Sequence, residues 1–132
     1  MERLFVDTSA WFAYANRADP EHRAVAAALR QCAGRLVTSN FVFDETVTLC
    51  RYRLGHPAAV KVGAALCDSG AIDLIRLNAD DERMAWSLFL ERPDKAYSFT
   101  DCTSFVLMRR LKLQCSVALD DDFRREGFDT VP

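Results

Sequence analysis

Short runs of consecutive apolar residues, separated by longer stretches with helical spacing, constrain the fold of this chain more than any other feature. The runs cover residues 4–6, 36–38, 72–77 and 117–119, with a further candidate at residues 130–131. A strand with one face in water alternates apolar and polar residues, whereas a continuously apolar strand is typical of a sheet covered on both faces. The pattern therefore predicts a compact α/β layer fold with a mostly parallel central sheet.

The stretches between these runs carry start and stop signals for helices. Asp19-Pro20 predicts a helix start, because Asp caps helix N-termini and Pro suits the first turn. Ser98-Phe99-Thr100-Asp101 fits a capping box ahead of another helix. On such signals we predict helices from Asp19-Pro20 to Gly34, over residues 41–54 and 57–67, from Asn78 to just before Pro93, and after Ser98 through residue 111.

Length and composition are those of an ordinary globular protein. The chain has 132 residues, of which 50% are hydrophobic and 27% are charged. That length suits one sizeable core, so we expect a single domain over residues 1–132. The N-terminal stretch lacks the basic and apolar regions of a signal peptide, and no apolar run approaches membrane-spanning length. We therefore expect a cytoplasmic protein with no membrane partner.

The charged and sulfur-containing residues exclude some classes of function. A net charge of −2 argues against a protein that holds long nucleic acid through its overall field, but not against a nuclease whose negative charge is confined to a metal site. The five cysteines are scattered and form no CxxC pair, and histidine occurs only at His22 and His56. A zinc site is therefore not expected.

Two of the predicted strands run directly into aspartate. Asp7 follows the first run, and Asp120 opens the triplet Asp120-Asp121-Asp122 after residues 117–119. In open parallel sheets, ligands bind beyond the carboxyl ends of the strands. Each acid could instead be a helix cap or a turn residue. If the chain stays extended, Asp122 shares the side of Asp120, and Asp121 faces solvent.

Two further acids are associated with apolar helices. At about 100° per residue, Glu45 falls on an apolar stripe with Leu49 and Tyr52, whereas Asp44 falls on a polar strip. A carboxylate on such a stripe needs either a salt bridge with a distant arginine or a shared cation. Asp101 begins an apolar helix, where it is either a capping-box acid or a residue that points at a ligand.

Carboxylates that meet at one edge of a sheet require a cation. Without one they repel each other, and at least one pKa rises. Mg²⁺ or Mn²⁺ would remove the repulsion, because these hard cations take oxygen ligands. We therefore predict a site for one or two divalent cations, formed by Asp7, Glu45, Asp101 and Asp120.

Four stretches, "FVDTSAW", "TSNFVFDETVTL", "YSFTDCTSFVLM" and "ALDDDFRREGF", follow one another along the whole chain. In these stretches the chain resembles the PIN-domain nucleases, particularly the VapC-type toxins of toxin–antitoxin pairs. The resemblance implies catalytic and metal-binding roles for Asp7, Glu45, Asp101 and Asp120.

The resemblance also bears on the neighbours of these acids. It implies that Thr8, Ser9 and Thr100 lie near the metal. Ala118 and Asp122 depart from the residues that are frequent in the family, so the fourth acid is either Asp120 or Asp122.

The same resemblance implies a three-layer α/β fold with a parallel five-stranded sheet, ordered 3-2-1-4-5 and flanked by helices. The implied activity is a Mg²⁺- or Mn²⁺-dependent endoribonuclease that hydrolyses RNA phosphodiester bonds. The implied partners are the RNA substrate, a second copy of the chain in a homodimer, and a cognate antitoxin protein.

Other classes of function stay open on the sequence alone. A PIN-domain RNA-processing nuclease without an antitoxin, or a catalytically silent interaction module, would have the same fold. A phosphatase would also gather acids at strand ends, but Ser9 stands where a haloacid dehalogenase-like enzyme has its second acid. Arg51, Arg53 and Lys95 are candidates for substrate binding, with ordinary surface charge as the alternative.

Overall fold

The computed structural model describes residues 2–132 and contains one parallel five-stranded sheet. Its strands are β1 (Arg3–Val6), β2 (Arg35–Ser39), β3 (Ile72–Ile75), β4 (Cys115–Val117) and β5 (Asp129–Val131). They lie in the order β3-β2-β1-β4-β5, and every neighbouring pair is parallel. The predicted sheet, its order and its last strand are confirmed.

Seven helices of the described residues connect and flank the strands. They are α1 (Thr8–Ala15), α2 (His22–Gln31), α3 (Asn40–Arg53), α4 (His56–Asp68), α5 (Ala79–Glu91), α6 (Phe99–Arg110) and α7 (Asp122–Arg125). The capping box predicted for Ser98 and Asp101 is present at the start of α6, and the predicted helix start at Asn78 is also a capping box, formed with Asp81. None of these helices combines the length and the apolar character that crossing a membrane requires.

The central strand β1 explains why the apolar runs are continuous. Phe5 and Val6 are fully buried, as is Val117 on the neighbouring strand β4. Helix α6 is buried around most of its circumference, since every residue from 102 to 108 is buried. Because β1 lies in the middle of the sheet and both of its faces are covered, its side chains have no polar alternation.

Three local predictions are wrong. Helix α2 begins at His22 rather than at Asp19-Pro20, because Asp19 Oδ1 accepts a hydrogen bond from the Glu21 N–H at 2.8 Å and forms a turn instead. The chain after Asp120 forms α7 rather than staying extended. Tyr52 is 84% exposed and not part of a buried stripe.

The buried side of α3 is displaced from the predicted stripe. Its fully buried residues are Val42, Thr46 and Cys50, four residues apart. Glu45 lies beside this row and is half-buried, and Asp44 is exposed as predicted. Glu45 therefore has one flank against the protein and one in water.

Candidate functional site

Asp7 is held at the carboxyl end of β1. Its backbone N–H donates to the Val117 carbonyl oxygen at 3.0 Å, which fixes it beside the end of β4. Asp7 is also the N-cap of α1: its Oδ2 accepts from Ser9 Oγ at 2.8 Å and from the Ser9 N–H at 3.3 Å. The other oxygen, Oδ1, is buried and has no hydrogen-bond partner among residues 2–132. Capping therefore uses only half of this carboxylate, and the other half needs a proton or a cation.

The surroundings of Asp7 disfavour its charged form. Burial, with a smaller contribution from the charges of Asp101 and Asp120, raises the pKa of Asp7 from 3.8 to about 7. The hydrogen bonds from Ser9 oppose these effects without cancelling them. A metal-free Asp7 is thus only partly ionised near neutral pH.

Asp101 combines a capping role with a place among the acids. Its Oδ2 accepts from the Ser98 N–H at 2.9 Å, while Ser98 Oγ accepts from the Asp101 N–H at 3.0 Å. The pKa of Asp101 is raised to about 6, mainly by burial and also by the charges of Asp120, Asp122 and Glu45, while the hydrogen bond from the Ser98 N–H opposes the rise. The capping-box interpretation is correct, and it coexists with strong repulsion from carboxylates on other elements.

Asp120 and Glu45 extend the same group of charges. Burial raises the pKa of Asp120, and the charges of Asp122 and Glu45 add to the rise. Two effects oppose it: a hydrogen bond from the Asp122 N–H to Asp120 Oδ1 at 3.2 Å, and the charge of Arg125. Five carboxylates therefore share one electrostatic environment beyond β1 and β4. We call them the acidic edge, and they are Asp7, Glu45, Asp101, Asp120 and Asp122.

The acidic edge is not a closed ligand set. Among residues 2–132, no group of three or more His, Cys, Asp or Glu side chains lies close enough together to hold a metal ion. Mutual repulsion disfavours convergence of carboxylates until a cation joins them. The donor chemistry nevertheless fits a hard divalent cation, because all the side chains offer carboxylate oxygens and Asp7 Oδ1 has no other partner.

Buried acids elsewhere in the protein show how unusual Asp7 is. The side chains of Asp81 and Glu126 are 2% and 4% exposed, and each is hydrogen-bonded to arginine: Arg110 donates twice to Asp81 at 2.8 Å, and Arg92 donates to both oxygens of Glu126 at 3.0 and 3.1 Å. Asp7 is 3% exposed and forms no ion pair with any described residue. Arginine therefore pairs with other buried acids but not with Asp7. Glu45, for which a salt bridge was the alternative, also forms no ion pair with any described residue.

The neighbouring residues predicted to lie near the site differ in what they do. Ser9 Oγ accepts from the Leu119 N–H at 3.1 Å and thus joins the ends of β1 and β4. Thr8 Oγ1 is buried without a hydrogen-bond partner. Thr100 is half-buried and uses its carbonyl oxygen to accept from Thr103 Oγ1 at 2.6 Å. The structure therefore ties Ser9 directly to Asp7 and gives no such contact for Thr8 or Thr100.

The basic residues predicted to bind substrate are not paired with the acidic edge. Arg51 lines a groove of about 570 Å³ between α3 and α4, and Lys95 is paired with the exposed Asp94 at 3.2 Å. Arg53 is exposed. The sequence interpretation missed Arg125, whose Nη1 lies 3.3 Å from Asp122 Oδ1. Residues three apart lie on the same side of a helix, so the spacing of Asp122 and Arg125 could have indicated an ion pair. This required a helix over these residues, which was not predicted.

The sequence and the fold both match known proteins. The sequence model of the PIN domain family matches residues 4–128 of this chain. The chain therefore belongs to the PIN domain family. Over 128 residues, 97% of both chains, it is 38% identical to the 23S rRNA-specific endonuclease VapC20 of Mycobacterium tuberculosis. It is also 32% identical to a VapC ribonuclease of Archaeoglobus fulgidus. That match extends over 114 residues and covers 83% of this chain and 72% of the relative.

Two solved structures are similar to this chain in fold. The crystal structure of Mycobacterium tuberculosis VapC20, described as a sarcin–ricin loop cleaving toxin, has a TM-score of 0.91 at 37% identity and 95% coverage of both chains. A chain of a toxin–antitoxin complex from Klebsiella pneumoniae has a TM-score of 0.68 at 12% identity, with 98% of this chain and 96% of that chain covered. The second similarity shows a shared fold alone.

Proposed function

We propose that this protein is a VapC-type endoribonuclease that hydrolyses RNA phosphodiester bonds with the help of Mg²⁺ or Mn²⁺. The observation that carries this proposal is Asp7, a buried carboxylate with one unpaired oxygen and no arginine partner, facing the charges of Asp101 and Asp120. A protein that needed Asp7 only as a helix cap would not surround it with other acids. Similarity to two proteins named as VapC nucleases supports the same activity.

Asp7 and Asp101 are the residues that would hold the cation, with Asp120 completing the site. A bound divalent cation supplies a Lewis acid for a phosphoryl oxygen and lowers the pKa of water. Ser9 keeps Asp7 in one orientation by donating to Oδ2, which leaves Oδ1 as the available oxygen. Asp7 must lose its proton before it can bind a cation, since its pKa lies at about 7.

Glu45 is the proposed general base. It is half-buried, so solvent water reaches it, and its charge acts on both Asp101 and Asp120. In this role Glu45 accepts the proton of the attacking water, whose oxygen forms the new bond to phosphorus. The bond from phosphorus to the leaving ribose oxygen breaks, and that oxygen takes a proton from solvent water to become a hydroxyl group. No serine, cysteine or histidine nucleophile is needed, and His22 and His56 have no part in the reaction.

We extend the proposal to substrate and partners. VapC20 is named for its specificity for 23S rRNA, and identity of 38% across nearly the whole chain supports ribosomal RNA as the substrate class here. We also propose a homodimer acting in the cytoplasm and a cognate antitoxin. The acidic edge suits a basic antitoxin side chain, because charge-assisted hydrogen bonds to carboxylates are strong.

The test is cleavage of RNA in intact ribosomes by the purified protein. Ribosomes would be incubated with the protein in Mg²⁺, in Mn²⁺ or in EDTA, and new 5′ ends would be mapped by primer extension. We expect a discrete cut in 23S rRNA that requires the cation and is absent with Asp7→Asn. Asp44→Asn is the matched control, because Asp44 is exposed and adjacent to Glu45. A cut of equal yield with Asp7→Asn would contradict the proposal.

A further inference from the structure

Arg125 differs from every other basic residue that the structure describes. It is the one arginine or lysine among residues 2–132 whose side chain forms an ion pair with a member of the acidic edge, namely Asp122. The contact is a single hydrogen bond from Nη1 to Asp122 Oδ1 at 3.3 Å, and the Arg125 side chain is 56% exposed. A cation in this position is available to a ligand that approaches the acids from solvent.

We propose that Arg125 binds a phosphate of the RNA strand next to the scissile bond. This inference rests on the ribonuclease function proposed above and assigns a substrate-binding residue to it. The Arg125 guanidinium carries five N–H donors, and its one hydrogen bond within residues 2–132 is the contact with Asp122. The remaining donors suit the bidentate geometry of a phosphate group.

The backbone that carries Arg125 is firmly anchored. Phe123, two residues earlier on α7, is fully buried, and its ring packs against Phe105 with centroids 4.9 Å apart. The chain then returns to the core, where the Phe128 N–H donates to the Phe123 carbonyl oxygen at 3.0 Å. A fixed backbone lowers the entropy lost when a phosphate binds, because only the Arg125 side chain then has to be ordered.

The positive charge of Arg125 would help an RNA strand to approach the acidic edge. A phosphodiester that approaches several carboxylates is repelled, and a fixed positive charge beside them offsets part of that repulsion. Arg125 lies beside the acids, since its Nη1 is 3.3 Å from Asp122 Oδ1, and the Asp122 N–H in turn donates to Asp120 Oδ1 at 3.2 Å. Two other arginines near α7, Arg92 and Arg109, already have a partner, because both donate to the buried Glu126.

The neighbouring Arg124 provides a matched control. It has the same charge and nearly the same exposure, 54%, but it is paired with Asp121 and donates to Thr130 Oγ1 at 2.9 Å. Neither partner belongs to the acidic edge. Loss of the Arg124 charge should therefore change RNA binding little, whereas loss of the Arg125 charge should weaken it.

A rival explanation is that Arg125 serves only to neutralise Asp122. The double variant Asp122→Asn/Arg125→Gln separates the two explanations. If Arg125 only offsets the charge of Asp122, the double variant regains the RNA affinity of the wild type. If Arg125 binds phosphate, the double variant binds RNA weakly.

The experiment measures cleavage kinetics and binding of a fluorescein-labelled single-stranded oligoribonucleotide. We expect Arg125→Gln to raise KM about tenfold with kcat within about twofold, as for a charge-assisted contact that is lost equally from ground and transition states. Arg125→Lys should recover part of the loss, and Arg124→Gln should have the wild-type KM. Thermal melting of each variant should match the wild type.

Binding is measured separately by fluorescence anisotropy in Mg²⁺, with Asp7→Asn compared with Asp7→Asn/Arg125→Gln so that no cleavage interferes. A wild-type protein that cleaves no RNA would refute the proposed function. The anisotropy comparison would still test whether Arg125 contributes to RNA binding. Equal affinities in that comparison, or wild-type affinity in the Asp122→Asn/Arg125→Gln variant, would overturn the role of Arg125.

Discussion

Ser9 and Leu119 are 110 residues apart in the sequence, yet the Leu119 backbone N–H donates to Ser9 Oγ at 3.1 Å. The same hydroxyl donates to Asp7 Oδ2 at 2.8 Å. One side chain therefore connects the segment after β1 to the segment after β4. This connection sets both the orientation of Asp7 and the position from which Asp120 projects.

Replacing Ser9 with alanine should weaken the fold and the site together. The Leu119 N–H and Asp7 Oδ2 would each lose a partner, and unsatisfied polar groups cost about 1–3 kcal/mol. We expect Ser9→Ala to lower the free energy of unfolding by that amount in urea denaturation. Ser9→Thr retains the hydroxyl and should lose less. A Ser9→Ala protein as stable as the wild type would show that the connection is dispensable.

The metal-free protein should become less stable as the pH rises from about 4 to about 7. The pKa of Asp7 is 3.8 unfolded and about 7 folded, so the folded state holds the proton more tightly over this range. The contribution of Asp7 to stability is then fully present below pH 4 and is lost as the pH rises to about 7, by on the order of 4 kcal/mol. Asp101, with a pKa of about 6, acts in the same direction.

Urea denaturation in EDTA at several pH values measures this effect. Asp7→Asn cannot ionise, so its stability should change less between pH 4 and pH 7 than that of the wild type. Parallel profiles for the two proteins would show that Asp7 is not the group responsible.

Divalent cations should stabilise the protein in a way that depends on the same acids. A cation that binds only the folded state raises the melting temperature, and it competes with the proton on Asp7. We expect Mn²⁺ to raise the melting temperature more at pH 8 than at pH 5. The rise should disappear in Asp101→Asn. A cation effect of the same size in that variant would place the binding site elsewhere.

Glu45 and its neighbour Asp44 provide a paired test of the proposed base. Glu45→Gln keeps the size of the side chain but cannot accept a proton, so we expect kcat to fall about 10²–10⁴-fold. Asp44→Asn changes an exposed acid on the same helix and should leave kcat unchanged. The measurement is initial-rate cleavage of labelled RNA in Mg²⁺. Equal losses in the two variants would point to a general effect of charge on α3.

Glu126 should matter for stability rather than for chemistry. Its side chain is 4% exposed and is paired with Arg92 and Arg109. Glu126→Ala removes the charge-assisted hydrogen bonds of Arg92 and Arg109, but these two side chains are 33% and 47% exposed and stay solvated, so the change should cost about 1.5–3 kcal/mol of unfolding free energy. Glu91 is the control: it also pairs with Arg92, at 3.9 Å, but is 68% exposed, and Glu91→Gln should cost less than about 1 kcal/mol. Similar losses would mean that burial does not decide the contribution.

Local patterns in the sequence predicted the parts of the molecule that depend on neighbouring residues. The apolar run before Asp7 reveals a covered strand, and the parallel topology then places Asp7 and Asp120 at one edge. The capping box of Ser98 and Asp101 depends on four consecutive residues and was equally accessible. What these acids do remains a proposal, because position alone does not define a role.

Other features depend on packing between distant segments. Helical spacing shows that α3 has an apolar side, but not which sector its neighbours cover, so Tyr52 was misplaced. Helix α7 has only four residues, too few for a periodic signal, and Asp122 and Arg125 were therefore not recognised as a pair. The contact of Arg92 with Glu126 spans 34 residues and leaves no trace in either local sequence.

The order of the strands also determines when this protein can become active during its synthesis. Strand β4 lies between β1 and β5, although its residues, Cys115–Val117, are among the last to be translated. A growing chain holds Asp7, Glu45 and Asp101 well before β4 arrives, but it lacks the strand that places Asp120 beside them. Nearly the whole chain must therefore have been released and folded before the acidic edge is assembled.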